Sequence, residues 1–119
     1  MTPATTTLAG LTVRWSLVDA PEGAEEMLAA YVEETSHARF TGMDGLRFKT
    51  WRLREREWFE GCYVFADDEA REAFQTAFTQ TAADSPGSRL VGSAPVLIEP
   101  CRIVAVAEGG AGFASAGRY

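Results

Sequence analysis

Lys49 is the only lysine among 11 basic residues, and it sits in the stretch FKTW, two positions before Trp51. A lone amine beside aromatic rings suits two roles. As a positioned cation it lowers the pKa of a bound phenol and holds the resulting phenolate or enolate, whose carbanion character lets the ring react directly with O2. As a structural charge it pairs across a hairpin with Glu60, and this ion pair is the favoured role. Arg14 projects from the polar face of the first strand, where it joins that ionic network or helps hold an oxyanion. His37, the single histidine, titrates near neutral pH and is the natural general base; a histidine in the last turn of a helix is equally a capping feature. Tyr63 and Tyr31 carry hydroxyls able to donate to a substrate carbonyl. Trp51 and Trp58 line a flat aromatic site or pack in an interface, with packing favoured. Trp15, Phe48, Tyr63, Phe74 and Phe78 are expected on the helix-facing side, and a small-molecule pocket would be cut from the same residues that build the core. The candidate set is therefore His37, Lys49, Tyr63 and Arg14 for catalysis, with Trp15, Tyr31, Phe48, Trp51, Phe74 and Phe78 for substrate binding.

Other chemistries fit the residues poorly. One histidine and scattered carboxylates do not make a zinc or non-haem iron site. There is no phosphate-cradling glycine loop, no dinucleotide fingerprint and no nucleophile–base–orienter spacing. The reading is of a site without metal or cofactor. A net charge of −6 argues against nucleic acid and against an anionic membrane surface. No apolar run approaches the ~20 residues that span a bilayer. The opening MTPATTTLAGL lacks the basic and apolar regions of a secretory signal, so a cytoplasmic protein is expected. Cys62 and Cys101 are read as reduced thiols.

A chain of 119 residues suits one domain able to bury its own core. Residues 1–8 are Thr/Ala-rich and expected to be loose. LTVRWSLV (11–18) alternates as a strand, with Leu11, Val13, Trp15 and Leu17 on one face. A helix follows from Ala24 to about His37, with Ala24, Met27, Leu28, Tyr31, Val32 and Thr35 as its stripe. Strands at 46–54 and 58–65 form a hairpin whose shortest turn is Glu55-Arg56. A second helix starts after Asp67, a good N-cap, and buries Ala70, Phe74, Ala77, Phe78 and Thr81. Residues 88–95 connect to a final strand within 95–107 that is interrupted at Pro100. The Gly/Ala-rich end, 110–119, is expected to be flexible or held by a partner. The order β-α-β-β-α-β predicts an α+β, ferredoxin-like domain over 9–109. It is a four-stranded antiparallel sheet with both helices on one face. Strand one then lies between strands three and four, which keeps Cys62 and Cys101 about 9–10 Å apart, too far for a disulfide.

The two-residue turn pairs Leu46 with Phe65, Phe48 with Tyr63 and Thr50 with Gly61 on the helix face. It leaves Lys49, Trp51, Leu53, Trp58, Glu60, Cys62 and Val64 on the open face. An open face this apolar points to an interface, and a homodimer stacking two sheets is expected.

The stretch GLRFKTWRLREREWFEGCYVFADDEAREAF carries a further signal. Gly45, Lys49-Thr-Trp51, Gly61-Cys-Tyr63-Val-Phe65 and the Ala70/Ala73 helix resemble the YdhR-type family of proposed monooxygenases, within the dimeric α/β-barrel superfamily that includes the antibiotic-biosynthesis monooxygenases. The match is densest over 45–74 and extends loosely over 9–109. The family usually has Gly-Gly before its Tyr; here the second is Cys62. The resemblance implies a homodimeric α/β barrel with a pocket in each subunit between helices and sheet. It implies an oxidoreductase of secondary metabolism that oxidises a small phenolic or polyketide-like aromatic without flavin, haem or metal. Relatives in the superfamily also isomerise, cyclise or degrade haem. The second helix has no histidine for haem. The alternatives are therefore a cyclase or isomerase in the same pocket, or a non-catalytic ligand-binding accessory protein.

Overall fold

The computed structural model describes residues 7–119; the expectation of a loose segment at 1–8 falls mostly outside them. Alternation builds β1 (Ala9–Ser16), two residues ahead of the expected 11–18, and Ala9, Leu11, Val13 and Trp15 are all buried. The chain then forms α1 (Ala24–Tyr31), a π-helical turn at Val32–Ser36 and α2 (His37–Phe40), a helical run that ends three residues beyond the expected His37. The wide turn inserts an extra residue, so the buried row steps in fours through Ala24, Leu28, Val32, Ser36 and Phe40. Thr35 and Met27, placed in that row from sequence, are exposed.

β2 (Leu46–Arg54) and β3 (Trp58–Phe65) form the hairpin. After it comes α3 (Asp68–Thr81), capped by the Asp67 carboxylate, which accepts from the Ala70 N–H at 2.8 Å. Phe74 and Phe78 of α3 are half-buried against the core, while Ala77 and Thr81, expected inside, face solvent. The connector holds a short helix, α4 (Pro86–Val91), with Ser85 as N-cap, Pro86 in its first turn and Gly92 at φ 86° closing it. Gly87 lies flat beneath Trp15: a Cβ there would stand 3.0 Å from the indole ring. The indole N–H donates to Ser88 Oγ at 2.9 Å. β4 (Leu97–Arg102) completes one antiparallel sheet in the order β2-β3-β1-β4. The fold is the α+β, ferredoxin-like arrangement, with β1 between β3 and β4. Cys62 pairs with Thr12 on one side of β1 and Cys101 with Gly10 on the other, and both thiols are free.

The hairpin register corrects the sequence reading. Its turn has three residues, Glu55-Arg56-Glu57, with Arg56 in the left-handed region at φ 63°. Leu46 still pairs with Phe65, but Arg47 is an extra, bulged residue, and Phe48 then pairs with Val64. From there Lys49 faces Tyr63, Trp51 faces Gly61 and Leu53 faces Phe59, all toward the helices. Phe48, Thr50, Arg52 and Arg54 take the open face. A one-residue slip exchanges the two faces of a strand. Lys49 and Trp51 are therefore inside, Phe48 is outside, and the expected Lys49–Glu60 ion pair does not exist.

Glu60 has better partners. Arg14 and Arg52 lie directly opposite it on the two flanking strands. Arg14 Nε donates to Oε2 at 2.8 Å and Arg52 Nε to Oε1 at 2.7 Å. Both guanidiniums pack over Trp58, at 4.5 and 5.5 Å from its ring. Glu60 is shut off from water, yet only by this thin polar layer. Burial pushes its carboxyl up, but the hydrogen bonds from Arg52 and Arg14 outweigh it and hold the pKa below the usual range.

The last segment, 103–119, leaves the sheet and lies against the chain itself. Arg118 bridges Glu26 and Glu33, at 2.9 and 3.3 Å. His37 Nε2 meets Ser115 Oγ at 3.0 Å, and Phe113 packs on Phe48.

Glu60→Gln should destabilise the protein by about 1–2 kcal/mol at pH 7 in urea unfolding, a modest cost because both arginines reach solvent. The carboxyl's folded pKa lies below its unfolded one, so its contribution is complete above pH ~4.5 and fades as pH falls through the folded value. The gap between wild type and variant should close over that acid range.

Candidate active site

One cleft lies between the sheet and the helices. β1 and β3 supply Trp15, Phe59, Gly61 and Tyr63; β2 supplies Lys49 and Trp51; the helical run from α1 to α2 supplies Tyr31, Val32, Ser36, Arg39 and Phe40; α3 supplies Phe74 and Phe78. The π turn matters here, because it brings Ser36 and Phe40 onto the inner side that Val32 begins. The rings interlock: Phe40 stands edge-on to Trp51, Tyr63 and Phe74, and Tyr63 lies 4.9 Å from Phe74 between centroids. The space left between them is about 50 Å³, enough for a few waters.

Lys49 is the one amine in this space. Its Nζ lies 3.6 Å from the Phe40 ring centroid, 4.3 Å from Tyr63 and 4.5 Å from Trp51. None of the ion pairs among the described residues involves it. Ring faces attract an ammonium by about 0.5–2 kcal/mol each, but they do not replace its water shell. Burial first, and the nearby Arg39 charge second, push its pKa well below the ordinary lysine value. Across the strand pair, burial pushes the Tyr63 hydroxyl up, so it stays protonated as a donor. Gly61 makes the arrangement possible. A Cβ at that position would stand 3.1 Å from Lys49 Cε and 3.4 Å from the Tyr63 oxygen.

The structure thus brings together Lys49, Tyr63, Trp15, Tyr31, Trp51, Phe74 and Phe78 of the expected site residues. Three lie elsewhere. Arg14 is on the open face with Glu60. Phe48 is on that face against Phe113. His37 lies behind Trp51, 6.1 Å between ring centroids, and bonds Ser115. Gly61, Phe40, Ser36 and Arg39 are not among the site residues expected from sequence. For Gly61 the signal was there: a glycine in mid-strand marks a close approach. A shallow groove on the outer side of α3, between Arg71 and Gln80, has no ring wall and no nucleophile. Among the described residues no three His, Cys, Asp or Glu side chains are grouped to hold a metal ion.

The fold is a known one. It is shared with a protein of unknown function from Nitrosomonas europaea, over 90% of this chain and 99% of that one, at 23% identity and a TM-score of 0.61. A crystal structure named "putative Antibiotic biosynthesis monooxygenase", from Chloroflexus aurantiacus J-10-fl, aligns over 84% of this chain and 96% of that one, at 14% identity and a TM-score of 0.48. No family model matches the sequence, and no match to a curated protein is found. The likeness to the Nitrosomonas protein is one of fold, and the chemistry has to be argued from the cleft. No helix among the described residues is long and apolar enough to cross a membrane.

The cleft chemistry has a stability consequence. Because the folded pKa of Lys49 lies below its unfolded value, the unfolded chain binds more protons between the two, and stability rises with pH. Lys49→Met removes that burden and keeps the volume. It should raise stability by about 1–2 kcal/mol at pH 7, and the gain should shrink as pH approaches about 10.5, as read by thermal melts across that range.

Proposed function

We propose that this chain is a cofactor-independent monooxygenase of the YdhR type, acting on a small aromatic phenol or quinol. The observation that carries the reading is the unpaired amine at the floor of a ring-lined cleft. An amine whose pKa burial holds below the ordinary lysine range is a base better matched to a phenol. Lys49 takes the phenolic proton and becomes the ammonium that holds the phenolate. The ion pair forms inside the apolar cleft, where its two charges attract strongly. The Tyr63 hydroxyl donates a second hydrogen bond to the same oxyanion. Trp51, Phe74 and Phe78 hold the substrate ring by its faces and edges.

The phenolate places electron density on ring carbon, which adds O2 to give a hydroperoxide. Loss of water leaves a carbonyl there. One oxygen atom enters the product and the other leaves as water, with both hydrogens drawn from the substrate. The substrate supplies all four electrons that O2 accepts, so no external reductant is needed. Lys49 rather than His37 is the base in this scheme, since His37 is outside the cleft.

Oxygen uptake with a panel of hydroquinones and anthrones tests it. Wild type should consume one O2 per substrate, and Lys49→Met should lower the rate at least about 100-fold with the fold intact by circular dichroism. Conversion without O2 would instead indicate the cyclase or isomerase reading. Ligand that binds and emerges unchanged would indicate an accessory binding protein.

We also propose that the working form is a homodimer joined through the open face. Phe48, Trp58 and Leu97 stand there beside the Arg14–Glu60–Arg52 ladder, an apolar patch with its charges already paired. Light scattering at micromolar concentration should give twice the 12.9 kDa chain mass, and Trp58→Glu should reduce it to the monomer.

A further inference from the structure

We propose a second activity for the same cleft: Lys49 captures small aromatic aldehydes and aryl ketones as an imine at Nζ. The proposal shares the unpaired amine with the oxygenase reading but needs neither phenol nor O2, so each can fail without the other.

Three features carry it. First, the Lys49 Nζ is held over the ring faces of Phe40, Tyr63 and Trp51 with no carboxylate in its ion-pairing range. The nitrogen is therefore not held by an anion, and it opens onto the cleft. Second, Gly61 leaves free the space between the lysine stem and the Tyr63 hydroxyl, which a Cβ would fill at 3.1 and 3.4 Å. A carbonyl carbon at Nζ then has its oxygen within reach of that hydroxyl. Third, the walls are rings, and they suit an aromatic group attached to the carbonyl. Tyr63, kept protonated by burial, donates to the oxygen as charge develops on it.

The chemistry balances without an oxidant or reductant. The amine adds to the carbonyl carbon, a C–N bond forms and the C=O π bond breaks. The carbinolamine then loses its oxygen as water. Both amine hydrogens leave with that oxygen, and the nitrogen lone pair forms C=N. The protonated imine withdraws electrons from the neighbouring carbon. With an aryl ketone this acidifies the α C–H, which is what an isomerisation or condensation needs.

The titratable groups around the amine set its pH behaviour: Tyr31 from α1, Arg39 from α2 and Tyr63 from β3 line the cleft with it, while Cys62 acts through the sheet from the open face. β1 and α3 present only Trp15, Phe74 and Phe78. None of these provides a carboxylate to hold the ammonium.

The single lysine makes the test clean. Purified protein is incubated at pH 7.5 without O2, with 4-hydroxybenzaldehyde and sodium cyanoborohydride, and followed by intact mass and peptide mapping. The expected result is one adduct on Lys49, formed at least tenfold faster than on N-α-acetyl-lysine under the same conditions. Gly61→Ala should lower that rate at least tenfold while the fold persists by circular dichroism. Tyr63→Phe should lower it with the Lys49 pH profile unmoved. Labelling of Lys49 no faster than the free model amine, or confined to the chain's α-amino group, overturns the proposal. Oxygen uptake on quinols is measured on the same sample. Uptake without capture overturns this activity alone, and capture without uptake overturns the oxygenase alone.

Discussion

The pairing of β2 with β3 is the constraint from which the rest of the molecule follows. It is fixed at both ends. A three-residue turn with Arg56 in the left-handed region sets it at one end, and the bulge at Arg47 absorbs the odd residue at the other. Between them, 48–54 moves as a block. In this register Trp51 and Leu53 go inside and Thr50, Arg52 and Arg54 go outside. The opposite register would bury Arg52 and Arg54 and expose Trp51 and Leu53. A Trp and a Leu packed half-buried against the core are together worth a few kcal/mol, at about 25 cal/mol per Å² of apolar surface. That outweighs the exposure of Phe48, which finds Phe113 in any case. The same register sets Arg52 directly opposite Glu60, between it and solvent.

Lys49 is carried inward by that choice. A half-buried amine without an anion is a cost, and it is one the fold accepts because five residues on the same strand, Thr50 to Arg54, gain from the register. The two faces of the hairpin are thereby linked. The open face consumes the carboxylate that sequence reading assigned to Lys49, and the inner face keeps the amine unpaired. Gly61 then decides whether the amine has room to work. Its missing side chain is what separates a lysine packed into a core from a lysine facing a cleft.

Much of the fold was legible in the residues. Period-two burial in β1, the Asp67 cap, the β-α-β-β-α-β order and the separation of the two cysteines all follow from local pattern and topology. The register did not, because Glu55-Arg56-Glu57 has no Asn-Gly or Gly to announce its length. A signal was present nonetheless. Thr50, Arg52 and Arg54 alternate with Trp51 and Leu53, and that period argues for burying the second set, against the faces that a two-residue turn sets. The π turn at Val32–Ser36 has no breaker residue to mark it. Without it the inner stripe runs toward Thr35 and misses Ser36 and Phe40. The cleft's membership was thus half readable. The rings of β1, β3 and α3 were found from periodicity, while the lysine was found by its rarity and placed on the wrong face.

The small volume of the cleft puts weight on which of its walls can yield. The wall formed by the sheet cannot move without breaking ladders, and α1 is locked through the fully buried Ala24 and Leu28. α3 is different, because none of its residues is fully buried. It is anchored at its start, where Asp67 caps it and Ala70 sits over Gly45, at a distance that leaves no room for a Cβ on the glycine. Toward its far end it contributes Phe74 and Phe78, stacked on each other and half-exposed. An element with few buried apolar contacts opens at the lowest free energy. Phe74 and Phe78 are therefore the part of the cleft wall that yields most easily. Phe78 meets Trp15 edge-on and Phe74 lies tilted on Tyr63, so the wall that yields is itself built of ring contacts, which another ring matches better than an aliphatic chain does.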